Sequence, residues 1–426
     1  MNSKFTNRFF TLCLTGALAI PVSATTASDF EIGKWANFCQ GAVSHTFDDN
    51  TAGQTQVAQP MFDAKGLHMT LFTCTGTMNP NWENLKKAFA KGHEIASHSV
   101  THPGTMPDAE CAPSQATIRE KIPGEQCITI AYPNCNVPTS TTNLKRCYIA
   151  GRVCDGQIAP KTPPDFWRVS CKMAGSAGVN STSGFNQTAD QAASSGGWIV
   201  WCHHGVGNDG HGYSNTSTNA LSGNITYLDQ NRGKIWTETF GNVSRYIYER
   251  DSAKITVKSS DDKSITITVT DKLVDSVFNF PLSIRCPLPS GWTTAVVTQK
   301  GAAVEDTIVT DGSTKYIMFK AVPDGGDVVI SKDPVAVLRS GSTSETMGVC
   351  SAVRNHATLL IDSRRFSGSE ITVTLFDLKG KTLARYTLGA SEDRITLPAD
   401  KISQSAFIAK IIGGNKSYIG TFMPQF

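Results

Sequence analysis

Three short stretches of the chain bring together residue types that can do chemistry. Thr46-Phe-Asp48-Asp49 follows the apolar run 41–44. Two adjacent carboxylates at the C-terminal end of a buried strand are costly to hold as bare charges, and such strand ends are where α/β sheets and barrels gather their sites. A nearby cation resolves the repulsion; the plainer reading is a solvated Asp-Asp turn. Further on, Gly92-His-Glu-Ile-Ala-Ser-His98-Ser-Val-Thr-His102-Pro103 sets two imidazoles four residues apart. One helical turn here places both rings on one face, at a spacing suited to chelating a divalent ion, and Pro103 stops the turn at His102. The third stretch, Gly196-Gly-Trp-Ile-Val-Trp-Cys-His203-His204-Gly, reads as a strand ending in histidine, which suits a general acid that protonates a leaving oxygen or nitrogen.

Rival chemistries fail on spacing. His93-Glu94 to His98 is H-E-x-x-x-H, one residue too long for the metalloprotease helix, and no G-x-S-x-G elbow of a serine hydrolase occurs. Eight of the nine histidines lie before residue 212, leaving only His356 beyond, so any chemistry belongs to the first half.

The elements that must position these residues follow from the pattern. Between about 29 and 250, short apolar runs (41–47, 69–73, 127–132, 198–202) alternate with helical-looking stretches such as 81–91 and 235–250, which predicts an α/β domain with a mostly parallel sheet. From Ala253 apolar residues fall on every second position, as in Ser264-Ile-Thr-Ile-Thr-Val-Thr, and Asp-Gly turns separate the runs up to Lys332. That predicts a small antiparallel sandwich. A Ser/Gly/Thr-rich stretch at 339–347 reads as a linker, and a second β-rich module follows with strands near 358–362, 370–376 and 406–412.

Composition narrows the class. The chain has 426 residues, enough for two or three domains, with 40% hydrophobic residues and a net charge of +3. Residues 1–24 read as a secretory signal, with Lys4 and Arg8 ahead of an apolar run too short to span a bilayer and Val22-Ser23-Ala24 as the cleavage site. Loss of those two positives from +3 leaves +1, and no basic stripe remains to cover nucleic acid or anionic lipid. Nucleic-acid binding and a membrane span are not expected. Of 12 cysteines, Cys13 lies in the signal and eight more precede residue 175, which predicts several disulfide staples in an exported N-terminal half.

With these residues in view, Thr-Phe-Asp-Asp followed by Gly-His-Glu-Ile-Ala-Ser-His-Ser-Val-Thr-His-Pro resembles the first two signature motifs of the NodB-type polysaccharide deacetylases, carbohydrate esterase family 4. The resemblance runs from about 37 to 250. It implies a distorted (β/α) barrel that removes acetyl groups from sugars with one divalent ion, Zn first and Co, Ni or Mn as alternatives. Carried over residue by residue, it implies Asp48 as catalytic base, with Asp49, His98 and His102 as metal ligands. Tyr132 and Asn134, in Ala131-Tyr-Pro-Asn134, fall on the third motif, where a backbone N–H near Asn134 helps bind the oxyanion. The Arg that many members carry before this Pro is missing, and Arg152 is the candidate substitute for orienting Asp48. His204 is the implied acid and His203 the alternative. Asp165-Phe-Trp167 occupies the place of the fourth motif without its usual Asp-x-x-Asp-Trp. His211, on a Gly-rich loop, either lines the sugar cleft or is an exposed loop histidine.

The expected organisation is therefore a signal at 1–24, a catalytic domain at 25–250, a β-sandwich at 251–335, a linker at 336–348 and a β-rich module at 349–426. The last, with Leu375-Phe-Asp-Leu-Lys-Gly-Lys, resembles the C-terminal sorting domains of type IX exported proteins; an accessory or carbohydrate-binding sandwich is the other reading. The expected substrate is an acetylated polysaccharide or oligosaccharide, with xylan ahead of chitin-type polymers, met outside the cell or at its surface. The competing function is a carbohydrate-binding protein whose deacetylase-like domain has lost activity through its altered third and fourth motifs.

Overall fold

Every residue of Gly41–Phe47 is buried, as expected for a strand covered on both faces, and this segment is the centre of the fold. The computed structural model describes residues 25–332, 350–353, 356–360, 370–376, 382–389, 394–398, 407–413 and 416–422. The expected signal (1–24) and linker (336–348) lie outside the described residues.

The chain opens with β1 (Glu31–Ile32), and the barrel strands follow as β2 (Gly41–Phe47), β3 (Thr70–Thr73), β4 (Glu94–Ser97), β5 (Thr129–Ala131), β6 (Ala150–Arg152), β7 (Lys172–Met173), β8 (Trp198–His203) and β9 (Ile235–Thr237). Their order is β6-β5-β4-β3-β2-β8-β7, with β9 on the first residues of β2, and every pairing is parallel. Val169 bridges Arg152 on one edge, and three residues later β7 pairs with β8 on the other, so the segment between closes the sheet into an irregular barrel. Helices α1 (Gln59–Asp63), α2 (Trp82–Phe89), α3 (Cys111–Lys121), α4 (Thr142–Cys147), α5 (Thr182–Ser195), α6 (Thr218–Gln230) and α7 (Phe240–Ser252) supply the crossovers. This is the expected distorted (β/α) barrel.

Two local expectations are corrected. Stretch 235–250 is not one helix: Ile235–Thr237 pairs with β2, and Thr239, whose side chain accepts from Asn242 N, caps a helix that starts only at Phe240. Nor is 98–102 a helical turn. Ser99 and His102 adopt left-handed backbone, Glu110 Oε2 accepts from the N–H groups of Val100 and Thr101, and Ser99 Oγ accepts from His102 N. These bonds offer the backbone an alternative to the helical ladder, so the segment is a tight loop.

Beyond the barrel, β10 (Lys254–Ser260), β11 (Ser264–Thr270), β13 (Val296–Gln299), β14 (Ala302–Ala303) and β17 (Val328–Ser331) form one antiparallel sheet in the order β10-β11-β17-β13-β14. The other is β1-β12-β16-β15, built with β12 (Leu282–Pro287), β15 (Asp306–Asp311) and β16 (Thr314–Ala321). The alternate residues of β11 are buried, as its period-2 pattern predicts. Strand β1 belongs to this sandwich, pairing with β12 from a position ahead of the barrel. Further β-strands lie at Cys350–Val353, His356–Leu360, Ile371–Phe376, Thr382–Leu388, Arg394–Pro398, Phe407–Gly413 and Lys416–Phe422. No helix among the described residues is long and apolar enough to cross a membrane.

Candidate active site

Parallel register brings the three sequence clusters to one end of the barrel. Asp48 and Asp49 follow β2, His98 follows β4, and His204 follows β8, whose His203 lies level with Phe47. Asp48, Asp49, His98, His102, Tyr132, Asn134, Arg152, His204, His211 and Tyr213 all line one cavity of about 370 Å³.

Asp49, His98 and His102 converge. Asp49 Oδ1 is 3.4 Å from Nε2 of each histidine, is buried, and makes no hydrogen bond. The candidate ligand atoms lie within 4.8 Å of one another. Two donors each about 2.1 Å from one tetrahedral ion stand roughly 3.4 Å apart, so the spacing fits a shared cation better than a set of hydrogen bonds. His98 Nδ1 lies 2.9 Å from Ala131 O and donates to it, which leaves Nε2 as the lone pair facing the site. Asp48, Cys202 and His204 also cluster, but Arg152 engages both oxygens of Asp48, and a guanidinium repels a second cation. The Asp49 triad is the set that suits a metal.

Asp48, only 2% exposed, is held by a fork: Arg152 Nη1 donates to Oδ1 at 3.1 Å and Nη2 to Oδ2 at 2.5 Å. Burial alone would raise this carboxyl, but Arg152, then His98 and His204, outweigh it and hold it well below the usual carboxylate range. Asp48 is therefore ionised and fixed in direction. Arg152 comes from β6, so the orienting cation sits two strands from β4 and supplies what the third motif lacks. Its neighbour Gly151 has to be glycine, because a Cβ there would run into the Tyr132 hydroxyl.

The paired histidines divide by strand parity. His204 faces the cavity, with Nε2 3.9 Å from Asp49 Oδ2, and burial lowers its pKa against the pull of Asp48 and Asp49. His203 faces the core: its Nε2 is 2.9 Å from His45 Nδ1, its Nδ1 is 2.9 Å from Thr216 Oγ1, and its ring stacks on Phe47 at 4.5 Å. Burial, with His45 beside it, pushes His203 well below the ordinary imidazole value. Tyr132 donates its hydroxyl to Trp167 O at 2.8 Å, and Asn134 takes left-handed backbone in the turn that follows. Asp165, Phe166 and Trp167 do not line the cavity; Phe166 stacks on Tyr248 instead, and Asp165 caps its own short turn.

Some of the site was missed in the sequence. Cys202, with Sγ 3.6 Å from Asp48 Oδ2, shares the face of His204 because the two are i and i+2 on one strand, a signal that was available. Tyr213 carried none, since it lies on a loop without periodicity. Among the described residues one disulfide, Cys135–Cys154, replaces the several staples expected; Cys39, Cys74, Cys111, Cys127, Cys147, Cys171, Cys202 and Cys286 are free thiols, seven of them buried. Free Cys behaves as a small hydrophobe, which accounts for a high count without cross-links.

Comparison with known proteins finds the following likenesses. The family model described as polysaccharide deacetylase matches residues 36–141, the segment holding Asp48, Asp49, His98, His102, Tyr132 and Asn134. A curated Bacillus sp. protein named gellan lyase is 30% identical over 355 residues, covering 75% of this chain; the chain spans only 14% of that protein's length. Among solved structures, the Xyl-CE4 domain of a multidomain xylanase from the hindgut metagenome of Trinervitermes trinervoides is 19% identical over 48% of this chain and 89% of its own, with a TM-score of 0.34. The peptidoglycan deacetylase PdaC of Bacillus subtilis is 16% identical over 50% and 93%, with a TM-score of 0.35. Residues 36–141 thus match the polysaccharide deacetylase family, the one whose signature motifs the sequence resembles.

Proposed function

We propose that this protein hydrolyses acetyl groups, O- or N-linked, from a polysaccharide, with one divalent cation held by Asp49, His98 and His102. The observation that carries the reading is the juxtaposition, in one cavity, of an Arg152-oriented carboxylate, a free Asp-His-His donor set and a cavity-facing histidine. A bound divalent ion at such a donor set polarises a water molecule and a carbonyl oxygen. Zn suits two imidazoles and one carboxylate, as do Co, Ni and Mn.

The protein's own groups perform the proton transfers. Asp48, aimed by the Arg152 fork, takes the proton of the attacking water as it adds to the acetyl carbon. The backbone turn at Tyr132 and Asn134 borders the place where the oxyanion develops. His204 donates a proton to the sugar oxygen or nitrogen as its bond to the acyl carbon breaks, and acetate leaves. Asp48, Arg152 and His98 are themselves buried, so the charges that act on one another there are little screened by solvent.

The polymer is proposed on weaker grounds. Xylan remains ahead of chitin-type substrates, and the name of the gellan lyase relative adds gellan; a match of 355 residues is longer than the barrel, so it takes in part of the β-sheet modules as well. Action outside the cell is part of the same reading, supported by the signal-like 1–24 and the Cys135–Cys154 disulfide. The test is acetate release from acetylated xylan, chito-oligosaccharides and acylated gellan, before and after chelation and with metal restored. Activity on at least one polymer, abolished by chelator and recovered with Zn or Co, is expected. Release that is indifferent to complete metal removal would overturn the reading.

A further inference from the structure

The loop that leaves β8 at His204 carries two side chains that the steps above do not use. Its base is pinned, with Gly207 N donating to Thr216 O and Thr216 N to Gly205 O, both at 2.9 Å. Inside it Asp209 accepts from Val206 N at 2.9 Å and from His211 N at 3.1 Å, and Thr216 Oγ1 meets His203 Nδ1 in the barrel core. The loop is a braced wall of the cavity.

From this wall Tyr213 and His211 face the reacting centre. Tyr213 is 51% exposed while Tyr132, which lines the same cavity, is 1% exposed, and the Tyr213 ring meets the His204 ring edge to face at 4.8 Å. His211 stacks nearly parallel to His204 at 6.0 Å and brings Nε2 to 3.5 Å from Asp49 Oδ2, where it is buried and makes no hydrogen bond among the described residues. Tyr213 leaves a flat ring face half open to the cavity, and His211 Nε2, which faces Asp49 Oδ2 without a hydrogen bond, can take a polar partner. The two demands are opposite in kind, one apolar face and one hydrogen-bond contact within one wall. A sugar ring, with a C–H face and peripheral hydroxyls, meets both.

We propose that His211 and Tyr213 form a sugar subsite on the leaving-group side of the cavity, Tyr213 as the flat platform for the ring that carries the acetylated atom and His211 as the polar contact to a hydroxyl of that ring. The side is fixed by His204, beside which both rings lie and which serves the leaving atom in the proposed mechanism. The inference rests on the hydrolytic reading for its choice of ligand, and it deepens that reading by placing a sugar of the polymer on a named surface.

The experiment uses the full chain with acetylated xylo-oligosaccharides and chito-oligosaccharides as probes, following acetate release and, separately, binding by calorimetry. Tyr213→Ala should raise KM about tenfold, with the smaller part of the loss in kcat, while Tyr213→Phe restores the platform. His211→Ala should also weaken oligosaccharide binding, and His211→Gln, which keeps a donor, should recover part of it. Metal content and affinity should match wild type in both Tyr213 variants. Wild-type KM and binding for Tyr213→Ala on every probe, or a loss of metal in that variant, would overturn the subsite. If wild type releases acetate from none of the probes, nor from acylated gellan, the hydrolytic reading fails, and calorimetry still decides the subsite. Oligosaccharide binding lost in Tyr213→Ala upholds it; binding unchanged by the substitution, or none in wild type, sinks it.

Discussion

At the scale of the residue, Asp48 and Asp49 are chain neighbours in different environments. Asp48 is bound through both oxygens by Arg152, whereas Asp49 points an unpaired Oδ1 at two histidines. Asp49→Asn should therefore weaken metal binding, and Asp48→Asn should keep the metal and lose about 10²- to 10⁴-fold in rate, since an amide cannot take a proton. Equal metal loss in both, by elemental analysis of folded variants, would refute the division. The same contrast holds at 203 and 204. His204→Ala should retain metal and lose rate on the same scale, with the greater loss on N-acetyl substrates because an amine leaves less readily than an alcohol. His203→Ala strips partners from His45 and Thr216 in the core and should cost about 1–3 kcal/mol of stability, with milder kinetics. The opposite faces of His203 and His204 were legible in the sequence from strand alternation, whereas the division between Asp48 and Asp49 was implied only by the family resemblance. Arg152 was only a candidate there: its reach to Asp48 crosses from β6 to the end of β2, a distance that no local pattern encodes.

At the scale of the element, the site hangs on strand ends and the turns after them. The central strands were legible because buried parallel strands read as apolar runs, and β2 and β8 match their predicted runs to within a residue. The His98–His102 loop was misread because spacing alone cannot separate a helical turn from a loop; Glu110, eight residues beyond His102, decides it by accepting two backbone N–H groups. The Cys135–Cys154 disulfide works on the same scale. It ties the turn that carries Tyr132 and Asn134, after β5, to the segment just past Arg152, after β6. Replacing both cysteines by alanine frees a 19-residue separation and should lower stability by about 3 kcal/mol. Because the two tethered segments flank the Asp48–Arg152 pair, activity should fall in the folded variant while the Asp49, His98 and His102 donor set still takes up metal. A double variant with wild-type turnover and melting temperature would show the tie to be dispensable.

At the scale of the whole molecule, barrel and sandwich share contacts that neither unit's own pattern announces. Strand β1, ahead of the barrel in the chain, completes a sheet of the sandwich, Tyr246 on α7 donates its hydroxyl to Gly33 O, and Glu249 on α7 accepts the N–H of Phe280 with both oxygens, at 3.0 and 3.2 Å. Only the sandwich's alternation was legible; its borrowed first strand, two residues long, carried too little pattern to place. Glu249 is buried at this junction, and burial first, with Asp271 adding to it against the Phe280 N–H and Arg245, raises its carboxyl from about 4.5 to about 8. A carboxyl whose folded pKa lies above its unfolded one binds more protons in the folded state, so its contribution to stability is fully present below about 4.5 and is lost as pH rises through about 8. Glu249→Gln keeps an oxygen acceptor for Phe280 N–H and removes the titration. The variant should melt close to wild type at pH 5 and increasingly above it towards pH 9, and the difference between the two curves isolates Glu249 from other groups that titrate in the same range. If the two melting temperatures instead run parallel from pH 5 to 9, the Glu249 carboxylate is already charged in the native junction, and the contact between barrel and sandwich has room for water.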